Sequence, residues 1–438
     1  MRVTKHSRTK HPKNQKMSTL ALLTALLALS TASTTPNTPE EVLSRTPPLK
    51  AAPPQQCPIS FAEHFIPQGY PFQTHTVTTS DGYILTLFRL QKKFTSMKNS
   101  GLPVVFVQHG MGNDAVNWLQ NGEQGLVFLL ANAGFDVWLG NNRGCKFSRR
   151  HTSLSITSKA FWTFSFDEMG KYDLPANLAY VRSTTGRSKV TYIGHSQGNS
   201  QMFAALSDSK IRPHVAPYIN RFYALAPIVY LNHNNTPLPN FAAYLTQLVR
   251  DLAWAFHVNY LKLGTCVWDQ SSVNYWNQYC PKHVDICYTP TFRITDGVSQ
   301  VENWARSGYQ KIATPSGISA NTFLHYAQLL ERQNNDQSYF AKYDYGNAQQ
   351  NIQHYGQSTA PRYDLTLVKE QVHLWVGTAD HLATIKEAEL ISNAMTNADV
   401  NTHIVQDWGH TSFHFAKDSA VVYRELVNEI RELNAVIV

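Results

Sequence analysis

Short runs of consecutive apolar residues recur along the chain, and segments with helical periodicity separate them. The runs cover residues 83–90, 103–109, 135–140, 189–194, 372–377 and 402–408. A strand that is apolar at consecutive positions is buried on both faces, which is typical of a parallel sheet covered by helices on each side. The pattern therefore predicts an α/β fold with a mostly parallel central sheet flanked by helices.

Residues 229–355 follow a different pattern, which predicts an inserted helical cap, or lid. Apolar side chains recur at helical spacing after Pro239, at Phe241, Tyr244, Leu245, Leu248, Leu252, Ala255 and Phe256. Aromatic residues are frequent in the segment, at Trp254, Trp268, Tyr275, Trp276, Tyr279, Tyr288, Phe292 and Trp304. We expect the cap to interrupt a core formed by residues 57–228 and 356–438. The alternative is a second packed core, the usual role of aromatic side chains at helical spacing.

Residues 1–33 have the pattern of a secretory signal peptide. Six basic residues precede an apolar run at residues 20–29, and small residues follow at 30–33. Ten residues in a helix span about 15 Å, half of the hydrocarbon core of a bilayer, so the run favours a cleaved signal over a membrane anchor. Met17 is an alternative start, because the apolar run does not need the residues before it. Residues 34–56 are rich in Pro, Thr and Ser and predict a flexible lead-in.

Length, composition and charge exclude several classes of protein. The chain has 438 residues, of which 43% are hydrophobic and 16% are charged, so we expect a sizeable core rather than disorder. The net charge is +8, but six of these charges precede residue 17, and we therefore predict no nucleic-acid partner. No later run approaches the roughly 18 apolar residues of a membrane-spanning helix, so the pattern predicts a product of the secretory pathway without a transmembrane anchor.

A glycine-flanked serine marks the candidate catalytic centre. Residues 194–198 read GHSQG and lie between a predicted strand and a predicted helix. This is the pattern of a nucleophile elbow, in which Gly194 and Gly198 are needed because the strand turns sharply into the helix and side chains there would collide with the backbone. The context predicts that Ser196 is a catalytic nucleophile. The alternative is an ordinary tight turn.

A serine nucleophile needs a base to remove its proton and a carboxylate to orient that base. In enzymes with a nucleophile elbow, the acid and then the histidine follow the serine along the chain. Asp380 comes just after the run at 372–377, and His410 follows the run at 402–408, so we predict Asp380 as the acid and His410 as the base. Asp380 as a helix N-cap and His414 as a competing base are the alternatives.

The tetrahedral intermediate of acyl transfer requires two backbone N–H donors. The residue after the nucleophile supplies one, Gln197, and a loop after an earlier strand supplies the other. The sequence QHGMG at residues 108–112 follows such a strand, and Met111 is the predicted second donor.

The same loop permits another class of protein. Residues 110–115 also fit the GxGxxA fingerprint of a dinucleotide-binding oxidoreductase. That function requires an acidic residue at the end of the next strand, whereas Asp136 stands at the start of the run at 135–140. We therefore prefer the hydrolase. A lipid-binding protein with an inactive triad is a third alternative.

Five cysteines and one sequon complete the candidate sites. The cysteines are Cys57, Cys145, Cys266, Cys280 and Cys287. Their spacing includes no CxxC pair and no zinc-like arrangement with histidine, so we predict no metal site. An oxidising compartment permits Cys280 to pair with Cys266 or with Cys287, and the odd count leaves at least one thiol free. Asn234 begins an N-x-T sequon and is the candidate glycosylation site.

Several longer motifs resemble those of the acid lipase family of gastric and lysosomal lipases. They are GHSQG, VQHGMG, DVWLGNNRG at 136–144, FSFDEMGKYDLPA at 164–176 and QSTAP at 357–361. The resemblance implies an α/β-hydrolase core with a helical cap, no cofactor or metal, and hydrolysis of triacylglycerols or cholesteryl esters at a lipid–water interface by a secreted or lysosomal enzyme. By position it assigns the nucleophile to Ser196, the acid to Asp380, the base to His410 and the oxyanion donors to Met111 and Gln197. The cap cysteines of the family also favour pairing of Cys266 with Cys280. A general carboxylesterase without preference for interfaces is the alternative.

Overall fold

The computed structural model describes residues 56–236, 260–261, 266–287, 295–296 and 301–437. The predicted signal peptide, nearly all of the predicted lead-in and the predicted helix after Pro239 lie outside the described residues. Within the described part of the chain, no helix has both the length and the apolar character needed to cross a membrane.

In the part of the chain that the structure describes, a nine-stranded, mostly parallel sheet lies at the centre and confirms the predicted α/β class. Its strands are β1 (Phe72–Thr78), β2 (Tyr83–Leu90), β3 (Val104–Gln108), β4 (Asp136–Gly140), β5 (Arg150–His151), β6 (Val190–His195), β7 (Ile219–Leu225), β10 (Gln371–Gly377) and β11 (Asp399–Val405), and two further strands are β8 (Tyr260–Leu261) and β9 (Ile318–Ser319). The order is β1-β2-β4-β3-β6-β7-β10-β11, with β5 beside β2. Within this spatial order, each pair of neighbouring strands from β4 through β3, β6, β7 and β10 to β11 is parallel, whereas β2 is antiparallel to β1, β4 and β5. β8 and β9 form a separate antiparallel pair.

Helices lie between the strands and beyond them. They are α1 (Ile59–Glu63), α2 (Leu126–Asn132), α3 (Phe166–Glu168), α4 (Leu174–Thr185), α5 (Gln197–Leu206), α6 (Gln270–Tyr279), α7 (Val284–Cys287), α8 (Ser307–Ala313), α9 (Ala320–Gln333), α10 (Ala348–Tyr355), α11 (Ile385–Ala394), α12 (Ser412–Phe415) and α13 (Ser419–Ile437). A π-helical turn, Met169–Asp173, joins α3 to α4. The alternation of strands and helices follows the predicted pattern.

The six predicted runs fall on β2, β3, β4, β6, β10 and β11. Every residue of β3 and of β4 is buried, as continuous apolar runs predict. β11 lies at the edge of the sheet, starts earlier than predicted and ends at Val405, because the chain turns at Asp407, where φ is +61°. The pattern does not predict β1, which is mostly polar, or β7, which begins with Ile219, Asn220 and Arg221 and so has a short apolar run.

The described part of the predicted cap contains α6 to α10 and the small β8–β9 sheet. Hydrogen bonds attach it to the loop that follows β3. Asn303 Nδ2 donates to Asn121 Oδ1 at 2.8 Å, and Arg306 Nε donates to the Gln120 carbonyl at 2.6 Å. Ser319 Oγ also donates to the Trp162 carbonyl at 2.7 Å. The segment therefore packs directly on the sheet-bearing part of the chain.

The disulfides differ from the predicted pair of Cys266 with Cys280, which is wrong. Cys57 bonds Cys266, and Cys280 bonds Cys287, with Cα–Cα distances of 5.2 and 5.5 Å. The physical reason is α6, which lies between Cys266 and Cys280. Its 10 residues extend about 15 Å, beyond the reach of a disulfide. Cys145 keeps a buried free thiol, as the odd count requires.

Candidate active site

Ser196 lies in the sharp turn between β6 and α5. Its backbone has φ +53° and ψ −119°, a conformation that costs energy for any residue with a side chain. The two flanking glycines permit the turn. A Cβ on Gly194 would lie 2.2 Å from Asn199 Oδ1, and one on Gly198 would lie 2.7 Å from the carbonyl oxygen of Gln108. The turn therefore has the geometry predicted for a nucleophile elbow.

Ser196, His410 and Asp380 form a continuous chain of hydrogen bonds. His410 Nε2 lies 2.8 Å from Ser196 Oγ, and His410 Nδ1 lies 2.9 Å from Asp380 Oδ2. Burial disfavours the charged imidazole, but the carboxylate of Asp380 outweighs it, so the pKa of His410 is raised above its usual value. The arrangement permits His410 to accept the serine proton while Asp380 stabilises the resulting positive charge.

Backbone contacts hold the acid and the base in place. Asp380 Oδ1 accepts hydrogen bonds from the backbone N–H groups of Leu382 and Ala383, both at 2.8 Å. These donors fix the carboxylate at the end of β10 without using the oxygen that faces His410. On the other side, His195 Nε2 donates to the backbone carbonyl of His410 at 2.9 Å. The His195 contact was not predicted, because nothing in the local pattern around residue 195 points to residue 410.

Met111 and Gln197, the two predicted oxyanion donors, line one small cavity, and Gln197 directly follows Ser196. His109 fixes the loop that contains Met111. Its Nδ1 donates to the Gly110 carbonyl at 2.8 Å, and its Nε2 accepts from the backbone N–H of Asn142 at 3.0 Å. Burial lowers the pKa of His109, so the ring remains neutral and keeps this tautomer.

The motif at 136–144 supports the cavity through a buried ion-pair network. Arg143 donates to the Asp173 carboxylate at 2.8 and 2.6 Å and to the Asp81 carboxylate at 2.7 and 3.0 Å. Its neighbour Asn142 holds His109, and the side-chain oxygen of Asn141 accepts from the backbone of Ala115 at 3.0 Å. The side chains of Arg143 and Asp173 are buried and paired with each other, and the Asn141 side chain is buried and bonded to the loop after β3, which explains why a strand-end loop contains these polar residues.

Asp296 is a second buried carboxylate beside His410. It accepts from the backbone N–H of Thr411 at 2.9 Å and from Thr411 Oγ1 at 3.0 Å, and its backbone forms a bridge to Asp380. Burial raises the pKa of Asp296 to about 7, and the hydrogen bond from Thr295 opposes the rise. Sequence reasoning missed this residue, because it belongs to the cap segment and no motif surrounds it.

The competing residues occupy other positions. The ring of His414 packs against those of Trp118 and His195, with centroids 4.2 and 4.3 Å apart, and burial lowers its pKa to about 3. In the dinucleotide alternative, Asp136 would hold a ribose, but both of its carboxylate oxygens accept from Arg89 at 2.8 and 2.7 Å. The candidate glycosylation residue, Asn234, is half-buried, and its Oδ1 accepts from Thr236 Oγ1 at 2.9 Å.

Comparison with known proteins places the chain in a family. Residues 61–122 match a family described as a partial alpha/beta-hydrolase lipase region, and residues 103–257 match the alpha/beta hydrolase fold. Gastric triacylglycerol lipase of Rattus norvegicus is 34% identical over 374 residues, which cover 83% of this chain and 89% of the relative. Lysosomal acid lipase/cholesteryl ester hydrolase of Homo sapiens is 32% identical over 372 residues, covering 83% and 88% of the two chains. Lipase member K of Homo sapiens is 33% identical over 366 residues, covering 82% and 87%. The chain therefore belongs to the α/β-hydrolase family that contains the gastric and lysosomal acid lipases.

Proposed function

We propose that this protein is a serine hydrolase that cleaves the carboxylic esters of neutral lipids through an acyl-enzyme intermediate. The observation that carries the proposal is the hydrogen-bonded chain in which Ser196 Oγ lies 2.8 Å from His410 Nε2 and His410 Nδ1 lies 2.9 Å from Asp380. The lipase relatives support the ester substrate, and the turn at Ser196 supports the choice of nucleophile.

The reaction proceeds in two halves. His410 takes the proton of Ser196 as the serine oxygen attacks the ester carbonyl, and the backbone N–H groups of Met111 and Gln197 stabilise the negative oxygen that develops. His410 then donates its proton to the departing alcohol. In the second half a water molecule, deprotonated by His410, attacks the acyl carbonyl, and His410 returns the proton to Ser196 Oγ as the bond between this oxygen and the acyl carbon breaks and the fatty acid leaves. Asp380 keeps the imidazole oriented and stabilises its charged form in both halves.

Neutral lipid substrates are supported by the names of the relatives and by the cap. The relatives are named for hydrolysis of triacylglycerol and of cholesteryl esters. In the cap, Val267, Tyr275 and Ile286 are 70%, 54% and 64% exposed. Exposed apolar side chains of this kind are suited to contact a lipid surface. We propose that residues 229–355 form the lid of the enzyme and that substrate reaches Ser196 when this segment meets a lipid–water interface.

Compartment and processing follow the same proposal. The relatives are named as gastric and lysosomal lipases, which agrees with a protein of the secretory pathway. Two disulfides are expected in that oxidising environment and unusual in the cytosol. We further propose removal of the signal at residues 1–33 and glycosylation at Asn234.

A substrate panel tests the proposal. Emulsified triolein and cholesteryl oleate are compared with dissolved p-nitrophenyl acetate, using wild type, Ser196→Ala and the control Ser183→Ala, which removes an exposed hydroxyl on α4. We expect Ser196→Ala to lose about 10⁶-fold in kcat on every ester and the control to match wild type. Activity restricted to the dissolved ester would identify a general carboxylesterase. Full activity of Ser196→Ala would contradict the assigned nucleophile.

A further inference from the structure

Three potential metal ligands converge at a place in the fold that the catalytic machinery does not use. His373 lies near the start of β10, His403 lies on β11, and Glu429 lies on α13. His373 Nδ1 is 3.1 Å from His403 Nε2 and 3.2 Å from Glu429 Oε2, and His403 Nε2 is 3.7 Å from Glu429 Oε1. Within the described residues, this is the group whose His, Cys, Asp or Glu ligand atoms gather closely enough to surround an ion.

The spacing of these atoms matches the requirements of zinc. Zinc–nitrogen and zinc–carboxylate distances of about 2.0–2.2 Å in a tetrahedral site separate neighbouring ligand atoms by about 3.3–3.6 Å. The separation of 3.1 Å between the two histidine nitrogens, and those of 3.2 and 3.7 Å from each nitrogen to its nearer Glu429 oxygen, lie within a few tenths of an ångström of that range. One ligand atom from each of the three residues lies within 4.8 Å of the other two. We infer that His373, His403 and Glu429 form a binding site for a divalent transition-metal ion, with Zn²⁺ the preferred ion, that fastens α13 to the edge of the sheet.

The sheet holds the two imidazoles in position before any metal binds. In the parallel register, His403 lies opposite Trp375, and His373 lies opposite Asn401, so the two histidines point to the same face on neighbouring strands. The ring of His403 stacks on Trp375 at a centroid distance of 4.3 Å and on His373 at 5.3 Å. A site on two rigid strands loses little conformational freedom when it binds an ion.

A second carboxylate, that of Glu425, lies beside His403 but is not one of the three proposed ligands. Glu425, one helical turn before Glu429, has its Oε1 3.6 Å from His403 Nδ1. Metal-bound histidines usually donate their other ring N–H to such an oxygen, which fixes the tautomer. On metal binding, the proton shared between the facing nitrogens moves to a far ring nitrogen, and Glu425 accepts the N–H of His403. Both facing nitrogens then offer lone pairs to the ion.

The surroundings define the remaining coordination and limit the affinity. The ligands line an open groove of about 520 Å³, so water has access to the fourth position. Arg221 lines the same groove, and its Nε and terminal nitrogen donate to Gln371 Oε1 at 3.0 and 2.6 Å. Its positive charge opposes binding of a dication, so removal of this charge by Arg221→Gln is expected to strengthen metal binding. The sequence predicts no metal site, because its three ligands come from three separate elements.

The test measures metal binding to the purified mature protein. Zn²⁺ is titrated calorimetrically, and Co²⁺ is added separately as a spectroscopic probe, since tetrahedral Co²⁺ absorbs visible light far more strongly than octahedral Co²⁺. We expect one equivalent of Zn²⁺, an intense Co²⁺ spectrum and a higher melting temperature with Zn²⁺. Glu429→Gln should weaken Zn²⁺ binding more than tenfold. The matched control, Glu432→Gln, changes a carboxylate in the same groove outside the ligand set and should bind like wild type.

Several results would overturn the inference. They are absence of stoichiometric binding, a weak octahedral Co²⁺ spectrum, and equal affinities of wild type, Glu429→Gln and a second variant, His403→Gln. In those cases the three side chains form only a hydrogen-bonded cluster. The melting temperature of each variant without metal shows whether it folds, and ester hydrolysis should be unchanged, because none of these residues contacts the catalytic centre.

Discussion

His195 donates a hydrogen bond from Nε2 to the backbone carbonyl of His410 at 2.9 Å, so the residue before the candidate nucleophile holds the loop of the candidate base. Burial keeps the pKa of His195 well below its usual value, and the ring is therefore neutral. A neutral ring with its proton on Nε2 is a donor at that position. His195 thus acts as a positioning residue between the elbow and the loop after β11.

Replacement of this donor should slow the reaction. In His195→Phe the ring volume is kept, but the buried carbonyl of His410 loses its donor, a cost of about 1–3 kcal/mol. If loss of this hydrogen bond displaces His410 from its position beside Ser196, kcat falls about 10- to 100-fold while KM changes little. Steady-state kinetics on p-nitrophenyl acetate measures the effect, with His214→Phe at an exposed turn as the control. An unchanged kcat in the folded variant would show that the contact has no positioning role.

The pH dependence of activity should report the two carboxylates beside His410. The base must be neutral to act, so kcat/KM falls as pH decreases through the pKa of His410, which lies above 6.5 in this site. Asp296 contributes to that rise through its negative charge. Asp296→Asn should therefore shift the acid limb of the profile to lower pH, with little change in kcat at its plateau. A limb at the same pH in both proteins would contradict this coupling.

Asp296 should also affect stability in a pH-dependent way. Its pKa rises from 3.8 to about 7 on folding, so the protonated carboxyl favours the folded state. This contribution is fully present below pH 3.8 and is lost as the pH rises to about 7. We expect Asp296→Asn to melt at a higher temperature than wild type at about pH 8, and this difference to shrink at about pH 4. Thermal unfolding at the two pH values measures it, and a difference that does not depend on pH would refute the explanation.

The elbow glycines allow a steric test. A Cβ on Gly198 would lie 2.7 and 3.0 Å from the carbonyl oxygens of Gln108 and His109, so Gly198→Ala must displace the loop that contains Met111. Loss of one oxyanion donor costs about 100- to 1,000-fold in kcat, and we expect a loss of that size. Gly134→Ala is the control, because its φ is +95° but no atom lies within 4 Å of the added Cβ. We expect Gly134→Ala to be less stable than wild type by about 1 kcal/mol and to keep its full activity.

The disulfide pairing should be visible in both mapping and stability. Peptide mapping without reduction is expected to recover Cys57 linked to Cys266 and Cys280 linked to Cys287. The first bond spans 209 residues and the second spans 7. In the chain-entropy model these loops correspond to about 5 and about 2 kcal/mol, so Cys57→Ser with Cys266→Ser should destabilise the protein more than the other double variant. Recovery of a Cys266–Cys280 peptide would contradict the structure.

Local patterns were sufficient for the fold class and for the candidate residues. Continuous apolar runs identified six strands of the sheet, because a strand that is buried on both faces is apolar at consecutive positions. The glycines around Ser196 identified its turn, because they are required by backbone sterics within a few positions. Family membership was also readable from motifs, and comparison with known proteins confirmed it.

The sequence by itself therefore determined the α/β class, the family and the position of the sharp turn, all of which depend on residues close together in the chain. Only the tertiary structure decided the cysteine partners, the contact from His195 to His410, the position of Asp296 beside Thr411 and the convergence of His373 with Glu429. Each of these is a contact between residues from separate elements. Such contacts depend on how strands and helices pack. Cys266 and Cys280, for example, lie only 14 positions apart in the sequence, but α6 between them holds them too far apart to form a disulfide.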